Sequence, residues 1–289
     1  MKLNTVFRYP GGKIKIVKHI MPHIQRMGDL LLKTMTFVDV FVGGGSVFIG
    51  VMNQFPSAKI VINDVDRYMH SFWSICSKNE IEELMGYISK YKNPTIEDFS
   101  QLRSEVGEDG LSVAKEAFFA LFFNRTAFSG IFSSGPMGGF EQDGKYKIGC
   151  RYNAPKMMQR IKELSERMSS DKVVCLKKDF LKVIEMYGDD NNAVLYLDPP
   201  YMKQGKQLYN HFMQPEQYSL MANALKDCKA NWIVSHDDHP DFVKLFEGWT
   251  DVQTIDGIPY TINSIKGKKR KELIIRKKVL NEVRMWNRF

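Results

Sequence analysis

The tetrapeptide Asp198-Pro199-Pro200-Tyr201 places an acid, two prolines and an aromatic side chain directly after the apolar run 193–197. Ligand sites of open α/β sheets lie at the carboxyl ends of buried strands. Because proline has no backbone N–H, the carbonyl groups of this stretch stay outside a strand ladder and can face a ligand. The Asp198 carboxylate and the Pro199 carbonyl could both accept hydrogens from one exocyclic amine, and Tyr201 could stack on a planar base. The alternative is an ordinary turn at a strand end.

A second candidate site is the glycine turn 42–46, which follows the apolar run 36–41. Its three glycines allow a tight turn close to a ligand, and the helix predicted after them would present free N–H groups. Asp64, about twenty residues further on, ends the next apparent strand, where a carboxylate can accept two ribose hydroxyls. Asp39 could attract a sulfonium or an amine, or serve as a structural acceptor. A plain tight turn and a helix-capping Asp64 are the alternatives. Phe48 replaces the third glycine of a dinucleotide fingerprint, which disfavours an NAD site.

Five apolar runs rich in β-branched residues predict buried strands, and helical patterns lie between several of them. The runs are 36–41, 59–63, 172–176, 193–197 and 231–235. This alternation is typical of an α/β domain, a parallel sheet with helices on both faces. Residues 71–168 interrupt it with helical periodicity followed by a glycine- and serine-rich stretch. We therefore expect an inserted second domain at 71–168, with 1–70 and 169–289 forming the first.

The composition favours a globular protein with a polyanionic partner. Of the 289 residues, 44% are hydrophobic and 26% charged, which excludes disordered and membrane classes. Forty-one Lys and Arg against 33 Asp and Glu give a net charge of +8, so nucleic acid is the favoured partner. The four cysteines show no zinc spacing or disulfide framework, and no signal peptide is apparent, so we expect reduced thiols in a cytoplasm. The basic run 266–278 is expected to be an edge hairpin with a charged face.

The motifs and their order resemble those of the Dam-type (D12 class) DNA adenine N6-methyltransferases. The segments that carry the resemblance are FRYPGGK at 7–13, FVGGGSVF at 41–48, Asn63-Asp64, Asp179-Phe180 and DPPY at 198–201. The resemblance extends from Phe7 to about Arg276 and implies a Rossmann-like methyltransferase domain with a mostly parallel central sheet. It also implies an inserted, mainly helical DNA-recognition domain with a hairpin at 71–168, where the family carries its DNA-reading part.

The activity that this resemblance implies is site-specific methyl transfer from S-adenosylmethionine to N6 of adenine in double-stranded DNA, with no metal. The cofactor residues expected, Asp39 included, are Tyr9, Lys13, Asp39, Phe41, Gly43, Gly45, Ser46, Asp64, Asp179, Phe180 and Asp198. The catalytic residues expected are Asp198, Pro199, Pro200 and Tyr201. N6 would attack the methyl carbon directly while Asp198 and the Pro199 carbonyl draw its hydrogens.

Such chemistry requires the adenine to leave the base stack, so the protein must contact DNA. Asn124 and Arg125 resemble the opening of the family's DNA-reading hairpin, and Lys145 and Lys147 follow in the same insertion. We expect these four residues to bind DNA, with an internal salt bridge as the alternative for Arg125. His236 stands where many relatives have an asparagine, and we expect it to be a structural histidine.

Other functions stay open at this level. The same tetrapeptide can hold cytosine, so an N4-cytosine methyltransferase is one alternative, and a DNA-binding module with an inactive cofactor site is another. A nicotinamide oxidoreductase is disfavoured. We expect a cytoplasmic protein of a bacterial or phage-infected cell that has no membrane partner. It would be a monomer in solution, with a dimer on DNA as the alternative.

Overall fold

The computed structural model describes residues 3–8, 16–30, 35–169, 173–202, 213–258 and 270–277. These residues form a seven-stranded sheet with the strand order β3-β2-β1-β4-β5-β7-β6. The strands are β1 (Thr36–Asp39), β2 (Lys59–Asn63), β3 (Val173–Leu176), β4 (Ala193–Leu197), β5 (Asn231–Asp237), β6 (Thr250–Ile258) and β7 (Arg270–Lys277). The first five are mutually parallel, and β7 runs antiparallel to both β5 and β6.

Helices lie on both faces of the sheet. The first seven are α1 (Val17–Leu30), α2 (Ser46–Gln54), α3 (Arg67–Lys78), α4 (Glu82–Lys90), α5 (Ile96–Ser104), α6 (Val113–Thr126) and α7 (Ala154–Met168). The others in the described ranges are α8 (Phe180–Tyr187), α9 (Pro215–Asp227) and α10 (Pro240–Lys244). None of these helices has the length and apolar character needed to cross a membrane. The mostly parallel sheet confirms the α/β, Rossmann-like prediction.

The strand order creates a crevice beside β1. The chain passes outward from β1 to β2 and β3, then returns to place β4 on the other side of β1. Asp39 at the end of β1 is therefore in register with Ile62 on one side and Tyr196 on the other. Such a reversal is where open α/β sheets bind ligands, at the carboxyl ends of the strands. The residues after β1, β2 and β4 consequently converge on one site.

Two apolar layers enclose the sheet. One contains α1, α2, α3 and the helices up to α7, and the other contains α8, α9 and α10. Strand β4, with the sequence AVLYL, is buried at all five positions, as expected for a parallel strand covered on both faces. The burial of these apolar side chains is the main force that holds the strand ends in register.

The insertion shares its core with the sheet layer. Phe72 and Trp73 of α3 pack at ring-centroid distances of 4.7 and 5.8 Å from Phe7, and Trp73 also contacts Phe48 of α2 at 5.0 Å. The expected boundary between residues 70 and 71 falls inside α3. The helices of this region therefore rest on the sheet through one continuous apolar cluster, and the division at 71–168 stays a prediction.

The hairpin expected within the insertion is not a pair of strands. Residues 127–151 form an irregular loop with one antiparallel bridge, Ala127 to Pro136, and two single-turn 3₁₀ helices. Positive φ angles interrupt any extended run at Ser129, Gly130, Gly138, Gly139 and Gln142. Because such residues leave the β region, a continuous ladder cannot form across this segment.

The basic run 266–278 is predicted to be an edge hairpin with a charged face; its described part, β7, pairs antiparallel with β6 at one end of the sheet, but β7 itself is not the edge strand. This strand lies between β5 and β6, and β6 occupies the sheet edge. Leu273 and Ile275 pack into one apolar layer and Ile274 into the other. A strand that is apolar on both faces is stable only inside a sheet, which explains why the interleaved apolar residues outweigh the lysines.

Candidate active site

Three carboxyl groups meet at the crevice: Asp39 ends β1, Asp64 follows β2, and Asp198 follows β4. Asp39 is 2% exposed. Burial, followed by repulsion from Asp198 and then from Asp64, raises the pKa of Asp39 well above its ordinary value. The strand order thus brings three carboxyl groups to one point, where a ligand that carries positive charge would stabilise their ionised forms.

Asp64 is fixed by the backbone around it. One carboxylate oxygen accepts a hydrogen bond from the Gly43 N–H at 2.9 Å, and the other accepts from the Asp66 N–H at 3.0 Å. Burial, followed by repulsion from Asp66, nevertheless raises the pKa of Asp64 to about 7. Each carboxylate oxygen has a second lone pair, so Asp64 can still accept hydrogen bonds from a ligand.

The glycine turn has a conformation that only glycine adopts without strain. Gly43 and Gly45 have φ angles of +42° and +72°. A Cβ on Gly45 would lie 2.5 Å from the Phe48 ring and 2.6 Å from Trp73. The Trp73 indole N–H donates to the Gly43 carbonyl at 2.9 Å, which holds the turn against α3. Ser46 begins α2, and the residue before it, Gly45, has no side chain with which to cap the first N–H groups of the helix.

Aromatic side chains and a linking amide border the other side of the crevice. The rings of Phe41 and Phe180 lie 5.6 Å apart, and the Asp179 side chain caps α8 by accepting from the Leu181 N–H at 2.9 Å. Asn63 donates to the Val40 and Lys178 carbonyls, each at 3.0 Å. Sequence reasoning gave Asn63 no role of its own, although an amide that ends a buried strand is a signal for such a link.

Side chains from three elements hold the loop 198–201. The Ser235 hydroxyl of β5 lies 3.4 Å from an Asp198 carboxylate oxygen, and the Tyr218 hydroxyl of α9 donates to the Pro200 carbonyl at 2.7 Å. The Tyr201 hydroxyl donates to the Glu272 carboxylate of β7, whose oxygens lie at 3.1 and 3.3 Å. These contacts attach the loop to β5, α9 and β7.

No hydrogen bond reaches the Pro199 carbonyl from the described residues, which fits its predicted role as an acceptor for substrate. Tyr201 is 2% exposed, with its ring 5.2 Å from His236. A base can stack on Tyr201 only by displacing what now covers it. His236 stacks on Phe242 at 3.7 Å, which fits its predicted structural role.

Asn124 and Arg125 do not fit the predicted direct contact with DNA, because they are 5% and 6% exposed. Asn124 accepts from the Arg8 N–H at 2.8 Å and donates to the Arg8 carbonyl at 2.9 Å. Arg125 donates to the Val6 carbonyl and to the Arg151 carbonyl. Both side chains are thus occupied in joining residues 6–8 to the insertion, since buried polar groups must find partners. The internal salt bridge considered for Arg125 is also replaced by these carbonyl contacts.

Lys145 and Lys147 lie exposed on the loop 127–151, and their contact with DNA stays a prediction. The Lys145 ammonium lies 5.7 Å from the centre of the Tyr146 ring, and the Lys147 ammonium donates to the Gln142 carbonyl. Tyr9 and Lys13, expected at the cofactor, lie outside the described residues.

A basic cleft of about 720 Å³ opens between residues 3–8, α2 and α7. Its described lining contains no acid and five cations, Arg8, Arg125, Arg151, Lys156 and Arg160. Burial, followed by repulsion from Arg8, Arg160 and Arg151, lowers the pKa of Arg125 to about 10. Sequence reasoning missed this cleft, although the four-residue spacing of Lys156 and Arg160 places them on one face of a helix.

Comparison with known proteins identifies the family of this chain. The family of D12 class N6 adenine-specific DNA methyltransferases matches residues 9–258. The Type II methyltransferase M.MjaIII of Methanocaldococcus jannaschii is 24% identical over 310 residues, which cover 97% of this chain and 100% of that protein. A putative methyltransferase, yhhF from Escherichia coli, shows a weak structural likeness, with a TM-score of 0.37 and 8% identity over 96% of this chain and 99% of that chain. The family predicted from the motifs is confirmed, and the chain belongs to the D12 class of N6 adenine-specific DNA methyltransferases.

Proposed function

We propose that the enzyme uses S-adenosylmethionine to methylate N6 of an adenine that has been extruded from double-stranded DNA into the crevice beside β1. The observation that carries this proposal is the convergence of Asp39, Asp64 and Asp198 next to the glycine turn. A donor with a sulfonium and an ammonium group is cationic at both centres, and three carboxyl groups at one point favour such a ligand.

The residues of the crevice fit this cofactor. Among the described residues, the buried Asp39 Oδ1 atom has no hydrogen-bond partner, and a cationic ligand would supply one. Asp64 would accept the two ribose hydroxyls, and the uncapped start of α2 would receive the carboxylate end. Phe41 and Phe180 would contact the adenine ring of the cofactor. S-Adenosylmethionine, when bound, supplies an electrophilic methyl group.

The loop 198–201 would orient the target amine. Asp198 and the Pro199 carbonyl each accept a hydrogen bond from one N–H of this amine. These two bonds localise the nitrogen lone pair and direct it away from both acceptors. Asp198 favours the developing positive charge on nitrogen and can take up the proton released after transfer. Tyr201 stacks on the ring of the extruded base, and this contact offsets part of the few kcal/mol needed to unstack it.

The basic cleft is the proposed docking surface for the DNA backbone. Five cations lie close together in this cleft, whose described lining contains no acid, so they repel one another. A row of phosphates relieves this repulsion and releases counterions. Lys145 and Lys147 would add contacts from the loop 127–151. Asn124 and Arg125 would support binding through the backbone of residues 6–8 rather than by touching DNA.

The test is expression of the enzyme in a host that lacks DNA methylation, followed by mass spectrometry of the nucleosides and sequencing of the modified sites. We expect N6-methyladenine at one recurring sequence with the wild type and none with Asp198→Ala. Asp189→Ala is the matched control, because Asp189 is an exposed surface acid paired with Lys229. N4-methylcytosine instead of N6-methyladenine, or full activity of Asp198→Ala, would overturn the proposal.

A further inference from the structure

Glu272 is a fully buried acid on the interior strand β7, with 0% exposure. It lies opposite Asp237 in β5 and Ile255 in β6. A fully buried acidic side chain is unfavourable unless it is hydrogen-bonded. An apolar side chain could fill the same buried position, so the presence of a carboxyl group there indicates a specific role.

One partner of Glu272 is Tyr201, the last residue of the loop 198–201. The Tyr201 hydroxyl donates to the Glu272 carboxylate at 3.1 and 3.3 Å. The Tyr201 ring meets His236 edge to face at 5.2 Å, and His236 is itself stacked flat on Phe242 at 3.7 Å. A tyrosine side chain has two rotatable angles, so one contact at its hydroxyl and one at its ring are enough to fix its orientation.

We propose that Glu272 is a positioning residue for the target base, acting through the Tyr201 hydroxyl to set the plane on which the extruded adenine stacks. This inference rests on the function proposed above. Tyr201 and Asp198 are separated by two prolines whose φ angles are locked, so the height of the stacked ring determines where the amine lies relative to Asp198 and the Pro199 carbonyl. A tilted Tyr201 ring would still bind a base but would aim its nitrogen wrongly.

The experiment measures kcat and KM on unmethylated plasmid DNA with methyl-labelled S-adenosylmethionine. We expect Glu272→Leu and Tyr201→Phe each to lower kcat about 10- to 100-fold, with a smaller change in KM, since misplacement acts on the reacting geometry. Glu272→Gln keeps an oxygen that accepts from the tyrosine hydroxyl and should retain most of the activity. The double variant Tyr201→Phe/Glu272→Leu should be no slower than either single variant, because both remove the same hydrogen bond.

Calorimetric binding of S-adenosylmethionine reports on folding in each variant, because the glycine turn and Asp64 take no part in the hydrogen bond between Tyr201 and Glu272. If Glu272→Leu fails to bind the cofactor, Tyr201→Phe and Glu272→Gln decide the question. Wild-type kcat in Tyr201→Phe, or losses that add in the double variant, would overturn the inference. A wild-type enzyme that modifies no adenine would instead overturn the proposed function, so the two failures are distinct.

Discussion

The affinity for S-adenosylmethionine should depend on pH through Asp64. This carboxyl group has a pKa of about 7 in the protein because it is buried and because Asp66 lies beside it. In its proposed role Asp64 must be ionised, because both of its oxygens would accept ribose hydroxyls while they also accept from the Gly43 and Asp66 N–H groups. The pKa is raised, so the competent form is lost as the pH falls through about 7.

The expected loss of affinity for S-adenosylmethionine follows from the ionised fraction of Asp64. At about pH 8.5 nearly all Asp64 is ionised, whereas at about pH 5.5 roughly 3% is, and the apparent Kd rises by the inverse of that fraction. We therefore expect affinity to fall about 30-fold between these two conditions, which corresponds to about 2 kcal/mol. The measurement is isothermal titration calorimetry across this range.

The matched control is Asp64→Asn, which cannot ionise but keeps the shape of the side chain. We expect it to bind more weakly than the wild type at high pH and to lose the part of the profile due to Asp64, while keeping any dependence due to the ligand itself. Parallel pH profiles for the wild type and the variant would refute the assignment of Asp64 to the ribose.

The same raised pKa affects stability. A carboxyl group with a folded-state pKa of about 7 and an ordinary value of 3.8 binds protons more tightly in the folded state. Its contribution to stability is therefore fully present below about pH 4 and is lost as the pH rises through about 7. Asp64→Asn should raise the unfolding midpoint of the ligand-free protein at about pH 8 and gain less near pH 5. Thermal denaturation at the two conditions checks this, and a gain that does not grow with pH would contradict it.

Three further substitutions test the glycine turn and the basic cleft. Gly45→Ala should destabilise the fold by about 2–4 kcal/mol in chemical denaturation, because its φ is +72° and the new Cβ would lie 2.6 Å from Trp73. Gly86→Ala is the control, because its new Cβ would meet nothing within 4 Å, and it should raise the free energy of unfolding by about 1 kcal/mol. Equal effects of the two glycine substitutions would contradict the predicted clash at position 45. Trp73→Phe removes the indole N–H that donates to the Gly43 carbonyl, so it should weaken cofactor binding and lower the free energy of unfolding by about 1–3 kcal/mol. An unchanged cofactor affinity in calorimetry would contradict this prediction. Arg160→Glu should weaken duplex binding in fluorescence anisotropy and reduce the salt slope by about one. Lys162→Glu, on the same helix but outside the cleft, should leave both nearly unchanged, and an equal loss would argue against the cleft.

Much of the site could be located without coordinates because its signals are local. An apolar run followed by glycines or by Asp198-Pro199-Pro200-Tyr201 specifies a strand end whatever surrounds it. The strands predicted at 59–63 and 193–197 are β2 and β4 with those bounds. Because the carboxyl ends of parallel strands share one edge, Asp64 and Asp198 lie at the same edge of the sheet, and the family resemblance places both at the cofactor.

The exposure of charged residues was not predictable in this way. Asn124 and Arg125 are polar and stand in a motif that resembles a DNA-reading segment, yet both are buried because residues 6–8, more than a hundred positions away, pack on them. Residue type sets what a side chain can bond to, but its partners are chosen by long-range packing.

The sequence by itself determined the α/β sheet, the glycine turn, the order of the motifs and the family, since each depends on residues that are neighbours in the chain. Only the tertiary structure decided that β7 lies inside the sheet, that Glu272 meets Tyr201 and that five cations share one cleft. The physical reason is that these contacts join segments separated by tens of residues, and their geometry is fixed by how the apolar faces of helices and strands bury one another.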